Sequence, residues 1–410
     1  MPRRALQSLD PGARPGGDAS AALTVPPTVK GLSLVSLFND FASEMVYPLL
    51  PAFVTGSLGG GPMILGLLDG AADLTSAALK FWSGRLADRP GWRKPLILLG
   101  YATAILVRPL IAVAGAAWQV VGFRVVDRVG KGLRTPPRDA LIAAVSPLEV
   151  RGRAFGFHRA ADHFGAVIGS LAAWYLLTRG AEVRSVIGWS VVPGLLAFVL
   201  LAAVLRGAPP PAAPEPRGAT PAADARGRVF WGPILALTAL TLFRLPEALL
   251  LLRLQQQGVA VAAVPLVWAG LHVVRSASSY PGGWLSDRLG PRLAVAAGGV
   301  VFAMVAAALS VELGVAWAIA VFLTMGLVAG LTEGAERALV ARLAPVRTGR
   351  GFGVYHALIG LAALPAGLAF GAVYQDLGPH QALLASAVGV AAAVMVWLMI
   401  TADRTAGETR

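Results

Sequence analysis

The sequence predicts an all-α membrane protein with about twelve transmembrane helices in two pseudo-symmetric six-helix bundles. The composition is 56% hydrophobic and only 14% charged, whereas soluble domains carry about 25% charged residues. The apolar residues fall into long runs, and about 20 apolar residues suffice to cross a bilayer as a helix. Related sequence blocks recur in the same order in the two halves of the chain, which indicates an internal duplication.

The apolar runs form two groups of six, separated by a segment rich in proline and polar residues. The predicted spans begin near Gly31, Pro62, Pro95, Trp118, Ala154 and Ile187, and then near Val229, Val259, Leu293, Val315, Gly351 and Gln381. The separating segment has the composition of a solvated, semi-extended linker. The predicted domains are therefore an N-terminal tail at 1–30, a first bundle at 31–205, the linker at 206–228, a second bundle at 229–401 and a C-terminal tail at 402–410.

Three sequence blocks repeat between the halves at a nearly constant offset. The block GRLADRPGWRK and the block GWLSDRLGPR place Asp88 and Asp287 in equivalent positions, 199 residues apart. The blocks GLRTPPRDALIA and GLTEGAERALVA are 198 residues apart, and GRAFGFH and GRGFGVY are 197 residues apart. Parallel repeats of this kind are known from transporters that are built of two similar halves.

The basic residues predict the orientation in the membrane. They gather in alternate loops, such as the one between spans 2 and 3, while Arg179, Arg184 and Arg253 are exceptions in the other loops. Loops rich in Lys and Arg stay on the cytoplasmic side. We therefore expect both termini and the linker to be cytoplasmic, in a bacterial cytoplasmic (inner) membrane. The net charge of +13 is spread over these loops, so no nucleic-acid partner is expected.

Enzyme chemistry is not predicted. The chain has no cysteine, which excludes disulfides, thiolate catalysis and cysteine metal sites. It has no phosphate-binding loop of the form G-x-x-x-x-G-K-[ST] and no H-E-x-x-H motif. No cofactor and no metal ion are expected.

The loop between spans 2 and 3 resembles the signature loop of the major facilitator superfamily. The matching residues are Gly84, Leu86, Asp88, Arg89, Gly91, Arg93 and Lys94, and a degenerate second copy contains Asp287 and Arg288. The resemblance covers about residues 31 to 401 and is greatest to bacterial efflux-type members. It implies a gate motif that holds the two halves together on the cytoplasmic side, formed by Gly84, Asp88, Arg89, Gly91, Arg93, Asp287 and Arg288.

Two further motifs are similar to those of efflux transporters in this family. The run RVVDRVGKG from Arg124 resembles the motif of span 4, with Arg128 in place of the usual glycine. The run from Gly165 to Gly169 resembles the antiporter motif of span 5, with Ser170 in place of the usual proline. The resemblance also implies that spans 3, 6, 9 and 12 are peripheral. Spans 6, 9 and 12 have no charge in their cores, and span 3 has only Arg108.

Span 4 carries the longest series of charges. Arg124, Asp127, Lys131, Arg134 and Arg138 follow one another at steps of three or four residues, which predicts one stripe along one helix face. Two interpretations are open. The stripe is a structural network in which Asp127 neutralises Arg124 and Lys131, or it is a wall that attracts anions.

Carboxylates within the spans are candidates for proton coupling, because a carboxylate inside a membrane is costly to keep charged. Asp40 and Glu44 are four residues apart on span 1, and Asp69 and Asp73 repeat this spacing on span 2. His158 and Asp162 on span 5 suit structural pairing, a proton relay, or a metal site with two further ligands. The proton-coupling candidates are Asp40, Glu44, Asp73, Asp162 and His158.

Polar residues of the inner spans are candidates for contact with a substrate. They are Asn39, Arg124, Asp127, Arg128, Lys131, Arg159, Arg244, Glu247, His272 and Glu333. In the second half we expect the charged pairs, including Glu336 with Arg337, to be gate ion pairs on the cytoplasmic side, and Arg244 to contact the substrate. Tryptophan side chains favour the membrane surface, which predicts surface anchors at Trp82, Trp268, Trp284 and Trp317.

These features predict a secondary active transporter that couples the export of a small amphipathic or organic-anion compound to protons. An importer or exchanger of an anionic metabolite is the alternative, and a non-transporting receptor or scaffold is a second one. The expected partners are a small-molecule substrate, protons and the lipid bilayer, and the expected oligomeric state is a monomer.

Overall fold

A computed structural model describes residues 24–87, 89, 91–146, 151–207, 227–343 and 348–402. These residues form helices and short connections without a strand, which confirms the predicted all-α class. Most of the predicted linker and most of both predicted tails lie outside the described residues, so the domain boundaries stay predictions.

The helices of the first half form six spans. Span 1 is Pro27–Val46, extended by irregular helical turns to Ser57, and span 3 is Arg93–Val107, extended by the turns Arg108–Val113. Span 6 is broken into Val183–Trp189 and Val191–Gly207. The continuous spans are Pro62–Ala87 (span 2), Ala117–Val145 (span 4) and Arg151–Thr178 (span 5).

The second half also has six spans, and two of them are broken. Span 7 consists of Gly227–Phe243 and Glu247–Gln256, and span 10 consists of Val315–Leu323 and Met325–Leu343. The continuous spans are Val264–Leu289 (span 8), Pro291–Ser310 (span 9), Thr348–Asp376 (span 11) and Pro379–Ala402 (span 12). All twelve lie within four or five residues of the starts that the apolar runs predict.

Within the described residues, nine spans are long and apolar enough to cross a membrane by length and composition. Spans 1, 4 and 5 fall short of this criterion. They carry seven of the candidate carboxylates and guanidinium groups, so their low apolarity reflects charges placed inside the protein: Asp40, Glu44, Arg124, Asp127, Arg128, Arg159 and Asp162.

Span 1 begins and span 12 ends at the same end of the molecule, which we name the terminal end; the opposite end is the distal end. In the first half, span 1 packs on spans 5 and 6, and span 4 packs on spans 2 and 3. In the second half, span 10 packs on spans 8 and 9, and span 12 packs on spans 7 and 9. The halves meet along two seams, where span 2 packs on span 11 and span 5 on span 8.

Glycines allow the closest approaches between spans. A Cβ atom added at Gly66 of span 2 would lie 1.9 Å from the carbonyl oxygen of Gly367 of span 11. Added at Gly165 and Gly169, it would lie 2.2 and 2.3 Å from the carbonyl oxygens of Leu37 and Phe41. The motif of span 5 is therefore a small-residue surface that brings this helix against span 1.

Arg184 and Arg253, two exceptions to the distribution of basic residues among the loops, donate hydrogen bonds to the ends of other helices. Arg184 donates to the carbonyl oxygens of Ala112 and Ala114 at 2.6 and 3.0 Å, at the end of span 3. Arg253 donates to those of Leu309 and Val311 at 2.8 and 2.9 Å, at the end of span 9. Carbonyl groups at a helix C-terminus lack partners within the helix, and a cation satisfies them. Each of these arginines therefore stabilises the end of a helix within its own half.

The close seam between spans 2 and 11 predicts a strong effect of added volume. Gly66→Val should lower the midpoint of thermal unfolding of the purified protein, because overpacking costs about 1–3 kcal/mol or more where backbone must move. Gly122→Val is the matched control, since no described atom lies within 4 Å of a Cβ at Gly122. Equal midpoints for the two variants would contradict the close packing of this seam.

Candidate functional site: a charged cavity between the halves

A cavity of about 550 Å³ lies between the two halves. Its wall comes from the eight inner spans, with Phe302 as the contribution of span 9. Among the described residues, eight carboxylates line it: Asp40, Glu44, Asp69, Asp73, Asp162, Glu247, Glu333 and Glu336. Six cations line it as well: Arg124, Arg128, Lys131, Arg159, Arg244 and Arg275. The expected segregation of charges to the inner spans thus corresponds to one shared cavity.

The cavity is closed at its distal end and open toward the terminal end. Tyr47 and Trp268, at the distal end, are only 8% and 2% exposed, and their rings lie 5.2 Å apart. Toward the terminal end, the side chains of Arg159 and Glu333 are 47% and 51% exposed. Water therefore reaches the cavity from the terminal end in this conformation.

Glu44 forms one of two polar contacts that close the distal end. Its carboxylate accepts a hydrogen bond of 2.8 Å from the indole N–H of Trp268, and it lies 3.8 Å from Nε2 of His272. Glu44 belongs to span 1 and Trp268 and His272 belong to span 8, so this contact joins the two halves. A hydrogen bond to a charged group is about twice as strong as one between neutral groups.

Asp69 forms the second contact. Its carboxylate accepts hydrogen bonds from the hydroxyl of Tyr47 at 3.0 Å and from the backbone N–H of Ala248 at 2.9 Å. Ala248 lies in the first turn of the helix Glu247–Gln256, where N–H groups have no partner within the helix. A carboxylate of the first half therefore caps a broken helix of the second half. We name Glu44, Tyr47, Asp69, Ala248 and Trp268 the distal lock.

Cations surround the distal lock on both sides. The guanidinium of Arg124 lies 4.8 Å from the ring centre of Tyr47, and that of Arg275 lies 5.4 Å from the ring centre of Trp268. Arg275 is also ion-paired with Glu247, so it is fixed over the indole. Cation–π contacts of this kind stabilise the two aromatic rings in their positions.

The charges on span 4 lie along one side of a continuous helix, but the two edges of this stripe have different neighbours. Arg124, Arg128 and Lys131 line the cavity. Asp127 and Arg134, seven residues apart, turn toward span 3, and Arg134 donates to the carbonyl oxygen of Gly100 at 3.4 Å. The 3.6-residue period of the helix separates these two sets by about one fifth of a turn.

Asp127 is neutralised by Arg108 and Arg124, so the interpretation that gave it Arg124 and Lys131 is confirmed for Arg124 and wrong for Lys131. The ion pair of Asp127 with Arg108 measures 2.9 Å and that with Arg124 measures 3.5 Å, and all three side chains are nearly inaccessible. Arg108 also donates to the carbonyl oxygen of Asn39 at 3.2 Å. Asn39 and Asp127 were cavity candidates, but the structure places both behind the cavity wall, in a buried network. Arg108 is the one core charge of span 3, and it points inward.

The candidates near the terminal end of the first half form short contacts. His158 and Asp162 lie 3.8 Å apart, as the spacing predicts, and His158 contacts the hydroxyl of Ser33 at 3.3 Å. Asp40 accepts a hydrogen bond of 2.9 Å from the amide of Asn39. In the described part of the chain, no group of three His, Asp or Glu side chains is arranged to hold a metal ion.

In the second half, the pairing differs from the gate pairs that the sequence predicts. Arg337 pairs with Glu333 at 3.3 Å, and Glu336 accepts a hydrogen bond from the hydroxyl of Tyr355. Arg159 of span 5 also reaches Glu333, at 3.4 Å, and this ion pair crosses between the halves. Glu247 lines the cavity, as predicted, but it pairs with Arg275 near the distal lock and not in a gate pair on the opposite side.

Three cations of the cavity wall have no carboxylate within 4 Å among the described side chains: Arg128, Lys131 and Arg244. Nε of Arg128, and Nε and Nη2 of Arg244, are inaccessible and lack a hydrogen-bond partner in the described residues. Arg244 lies 5.8 Å from the ring centre of Phe302. Among the described cavity cations, these three therefore have no carboxylate partner.

The predicted gate motif is only partly described. Asp88 lies outside the described residues, and so does the side chain of Asp287. Arg93 donates to the carbonyl oxygen of Ala87 at 2.8 Å, and Gly91 has the left-handed φ of 88° that a glycine adopts freely. Arg288 lies 4.0 Å from the ring centre of Trp284. Gly84 lies in the last turn of span 2 and Arg89 in the connection that follows, and the gate role of the motif stays a prediction.

The roles of two residues of the distal lock, Trp268 and Tyr47, were not predicted from the sequence. Trp268 was expected as a surface anchor, but it is 2% exposed, unlike Trp82, Trp284 and Trp317 at 48–71%. Tyr47 stands within an apolar run and gave no signal. Pro246 followed by Glu247 in the middle of a span indicates that a new helix begins there. The free N–H groups at this helix N-terminus need a hydrogen-bond acceptor, and this requirement is the sequence signal that points to a carboxylate such as Asp69.

The buried network predicts different costs for two aspartates of span 4. Asp127→Asn should lower the unfolding free energy by about 3–5 kcal/mol, because it leaves buried guanidinium groups without a counter-charge. Asp139→Asn, whose side chain is 42% exposed and pairs with Arg138, should cost less than about 1 kcal/mol. Thermal unfolding in detergent measures both, and a milder effect at Asp127 than at Asp139 would contradict the network.

Comparison with known proteins gives a consistent family. The sequence profile of the Major Facilitator Superfamily matches residues 32–363. An uncharacterized MFS-type transporter of Methanocaldococcus jannaschii is 28% identical over 368 residues, covering 87% of this chain and 90% of that protein. The multidrug resistance protein MdtH of Cronobacter sakazakii is 33% identical over 158 residues, which is 38% of each chain.

Solved structures show the same fold. The crystal structure of a POT family transporter in complex with 5-aminolevulinic acid superposes with a TM-score of 0.77, covering 92% of this chain and 96% of that one. The two sequences are 11% identical, so this likeness concerns the fold alone.

Proposed function

The chain belongs to the Major Facilitator Superfamily and is a multi-pass membrane transporter, and we propose that it exports a small amphipathic or organic-anion compound in exchange for protons. The observation that carries this proposal is the distal lock, because two carboxylates of one half hold the other half there. Glu44 is one of the five predicted coupling residues, and Asp69 joins it.

Protonation would weaken this lock. A neutral carboxyl group accepts a weaker hydrogen bond than a carboxylate, from an indole N–H as from a helix N-terminus. The deprotonated, empty protein is therefore held with its distal end closed. Proton binding shifts the equilibrium toward distal opening, by the difference in affinity between the two conformations.

This behaviour suits an antiporter better than a symporter. A symporter has to change back to its starting conformation with neither proton nor substrate bound. That empty form is the one that the distal lock holds closed. An antiporter has to suppress the same step, because it would dissipate the gradient without transport. The Glu44 and Asp69 contacts supply that restraint, and substrate or proton has to release it.

The charge asymmetry of the loops supports a cytoplasmic terminal end, in a bacterial inner membrane. The cavity then faces the cytoplasm, where an exported compound is collected. The partial similarity to a multidrug resistance protein supports export as well. We propose a monomer, with protons and one small molecule as its partners and without enzymatic activity.

Exchange or import of an anionic metabolite is the second candidate function. The observation that favours it is the set of cavity cations without a carboxylate within 4 Å among the described side chains, Arg128, Lys131 and Arg244. Transport of an anion without proton movement, in purified liposomes, would select this function.

The coupling role predicts a specific defect for Glu44→Gln. The amide still accepts a hydrogen bond from Trp268 but cannot titrate. In proteoliposomes, accumulation driven by a pH gradient should fall to the level of liposomes without protein, while substrate exchange at equal pH on both sides should continue. Glu312→Gln, a change at an exposed loop carboxylate, is the matched control and should accumulate normally.

If Glu44→Gln and Asp69→Asn, singly and together, still concentrate substrate, the coupling residue is elsewhere. Asp40, Asp73 and the pair of His158 with Asp162 are then the next variants to measure in the same assay. If exchange at equal pH is also lost, Glu44 is a substrate ligand and the coupling assignment is wrong.

The distal lock predicts a change in accessibility when Trp268 loses its N–H. The chain has no native cysteine, so Ala72→Cys in the cavity wall serves as a single reporter for an impermeant maleimide added outside cells. Trp268→Phe should raise the labelling rate about tenfold, because a hydrogen bond to a charged group contributes about 1.5–3 kcal/mol. Trp284→Phe, on the same span but half exposed, should leave the rate unchanged.

A further inference from the structure

Arg128 and Lys131 stand one helical turn apart on the cavity face of span 4. Residues three apart on a helix are neighbours, and like charges at this spacing repel each other. The described residues provide no carboxylate within 4 Å of either group. A half-buried cation pair of this kind gains from a bound anion, since a charge without a partner is costly inside a protein.

Most carboxylates of the cavity are already engaged by other groups. Glu44 and Asp69 accept hydrogen bonds in the distal lock, and Glu247 and Glu333 are ion-paired. Asp162 lies beside His158 and Arg159, and Glu336 accepts from Tyr355. This leaves Asp40, which Asn39 already contacts, and the exposed Asp73, against the three cations Arg128, Lys131 and Arg244. The groups free to bind a ligand are therefore predominantly positive.

The two walls of the cavity differ in polarity. The first half supplies nine charged residues to the wall, and its apolar contribution is limited to the ring of Tyr47 and to Gly70, Ala72 and Ala166. The second half supplies five charged residues, Arg244, Glu247, Arg275, Glu333 and Glu336, and nine apolar ones: Leu245, Pro246, Trp268, Phe302, Met325, Val328, Ala329, Ala363 and Ala366. A molecule between the walls thus meets mainly charge on the side of the first half and a larger apolar surface on the side of the second.

We propose that the cavity binds an amphipathic organic anion in a defined orientation. Its anionic group is held by Arg128 and Lys131 of the first half, and its apolar part lies against Phe302, Met325 and Val328 of the second half. Arg244, beside Phe302, is a further donor from the second wall. The proposal rests on the proposed transport function and specifies the class of substrate for that same site.

The cavity of about 550 Å³ lies within the range of about 300–1,000 Å³ that holds small molecules. A ligand that contacts both walls makes interactions that depend on the relative position of the halves. Its binding can therefore favour one arrangement of the halves over another, which a ligand bound to one wall alone cannot do.

The test compares ligands that differ only in their charge. Equilibrium binding to the purified protein in detergent is measured for 2-naphthoate, for its neutral amide and for the cationic naphthalen-2-ylmethylamine, all at neutral pH. We expect the acid to bind about tenfold more tightly than the amide, as for a hydrogen bond to a charged group. Tighter binding of the amide or the amine, or no binding of the acid at millimolar concentration, would overturn the proposal.

Variants identify which wall contacts which part of the ligand. Arg128→Gln and Lys131→Gln should each weaken binding of 2-naphthoate by about tenfold and leave the amide unaffected. Arg206→Gln, the same change at an exposed cation outside the cavity, is the control. Phe302→Ala should weaken the binding of 2-naphthoate more than the binding of benzoate. Unchanged binding of the acid in both span 4 variants would overturn the assignment, and the comparison of ligands on the unmodified protein stands if a variant fails to fold.

These measurements use no proton gradient, so they separate the two proposals. Selective binding of the acid without proton-driven accumulation contradicts the antiport function and leaves the anion site intact. Proton-driven accumulation of a cationic or neutral compound contradicts the anion site and leaves the coupling intact.

Discussion

The high cost of an ionisable side chain inside a bilayer is the constraint on which the rest of this structure depends. Charges cannot face lipid at mid-depth, so they face protein or water, and the spans that carry them come together. Spans 1, 4 and 5 are too polar to be recognised as membrane spans by length and hydropathy alone. They nevertheless pack against neighbouring helices, because their polar faces lie against one another and the cavity. The cavity is the consequence of this segregation.

The charges then fall into three groups with different physical roles. Arg184 and Arg253 satisfy the last carbonyl groups of spans 3 and 9. Asp127 with Arg108 and Arg124 stabilises the interior of the first half, where removal of one partner would leave an uncompensated charge. The cavity residues are the third group, which contains ionic and hydrogen-bonding contacts between the halves and the three cations without a carboxylate within 4 Å among the described side chains. The residues proposed to bind protons or substrate belong to this third group.

The distal lock depends on a break in the backbone. Span 7 ends at Phe243 and restarts at Glu247, and this break exposes N–H groups deep in the protein. A helix N-terminus away from water needs an acceptor, and Asp69 provides it from the opposite half. Backbone geometry in one bundle is thereby linked to the ionisation of a carboxylate in the other. This link is a physical route from proton binding to the movement of the halves.

The sequence by itself determined the class of fold, the number of spans, the duplication and the spans that carry charge, because hydropathy and repeated motifs are local properties of the chain. It also placed Arg124, Arg128, Lys131, Glu44 and Arg244 inside the membrane-spanning region. Only the tertiary structure decided which groups pair between different helices. Arg108 with Asp127, Glu44 with Trp268 and Asp69 with Ala248 join residues between 19 and 224 positions apart, and such pairing depends on how helices rotate and cross, which spacing along one helix does not fix.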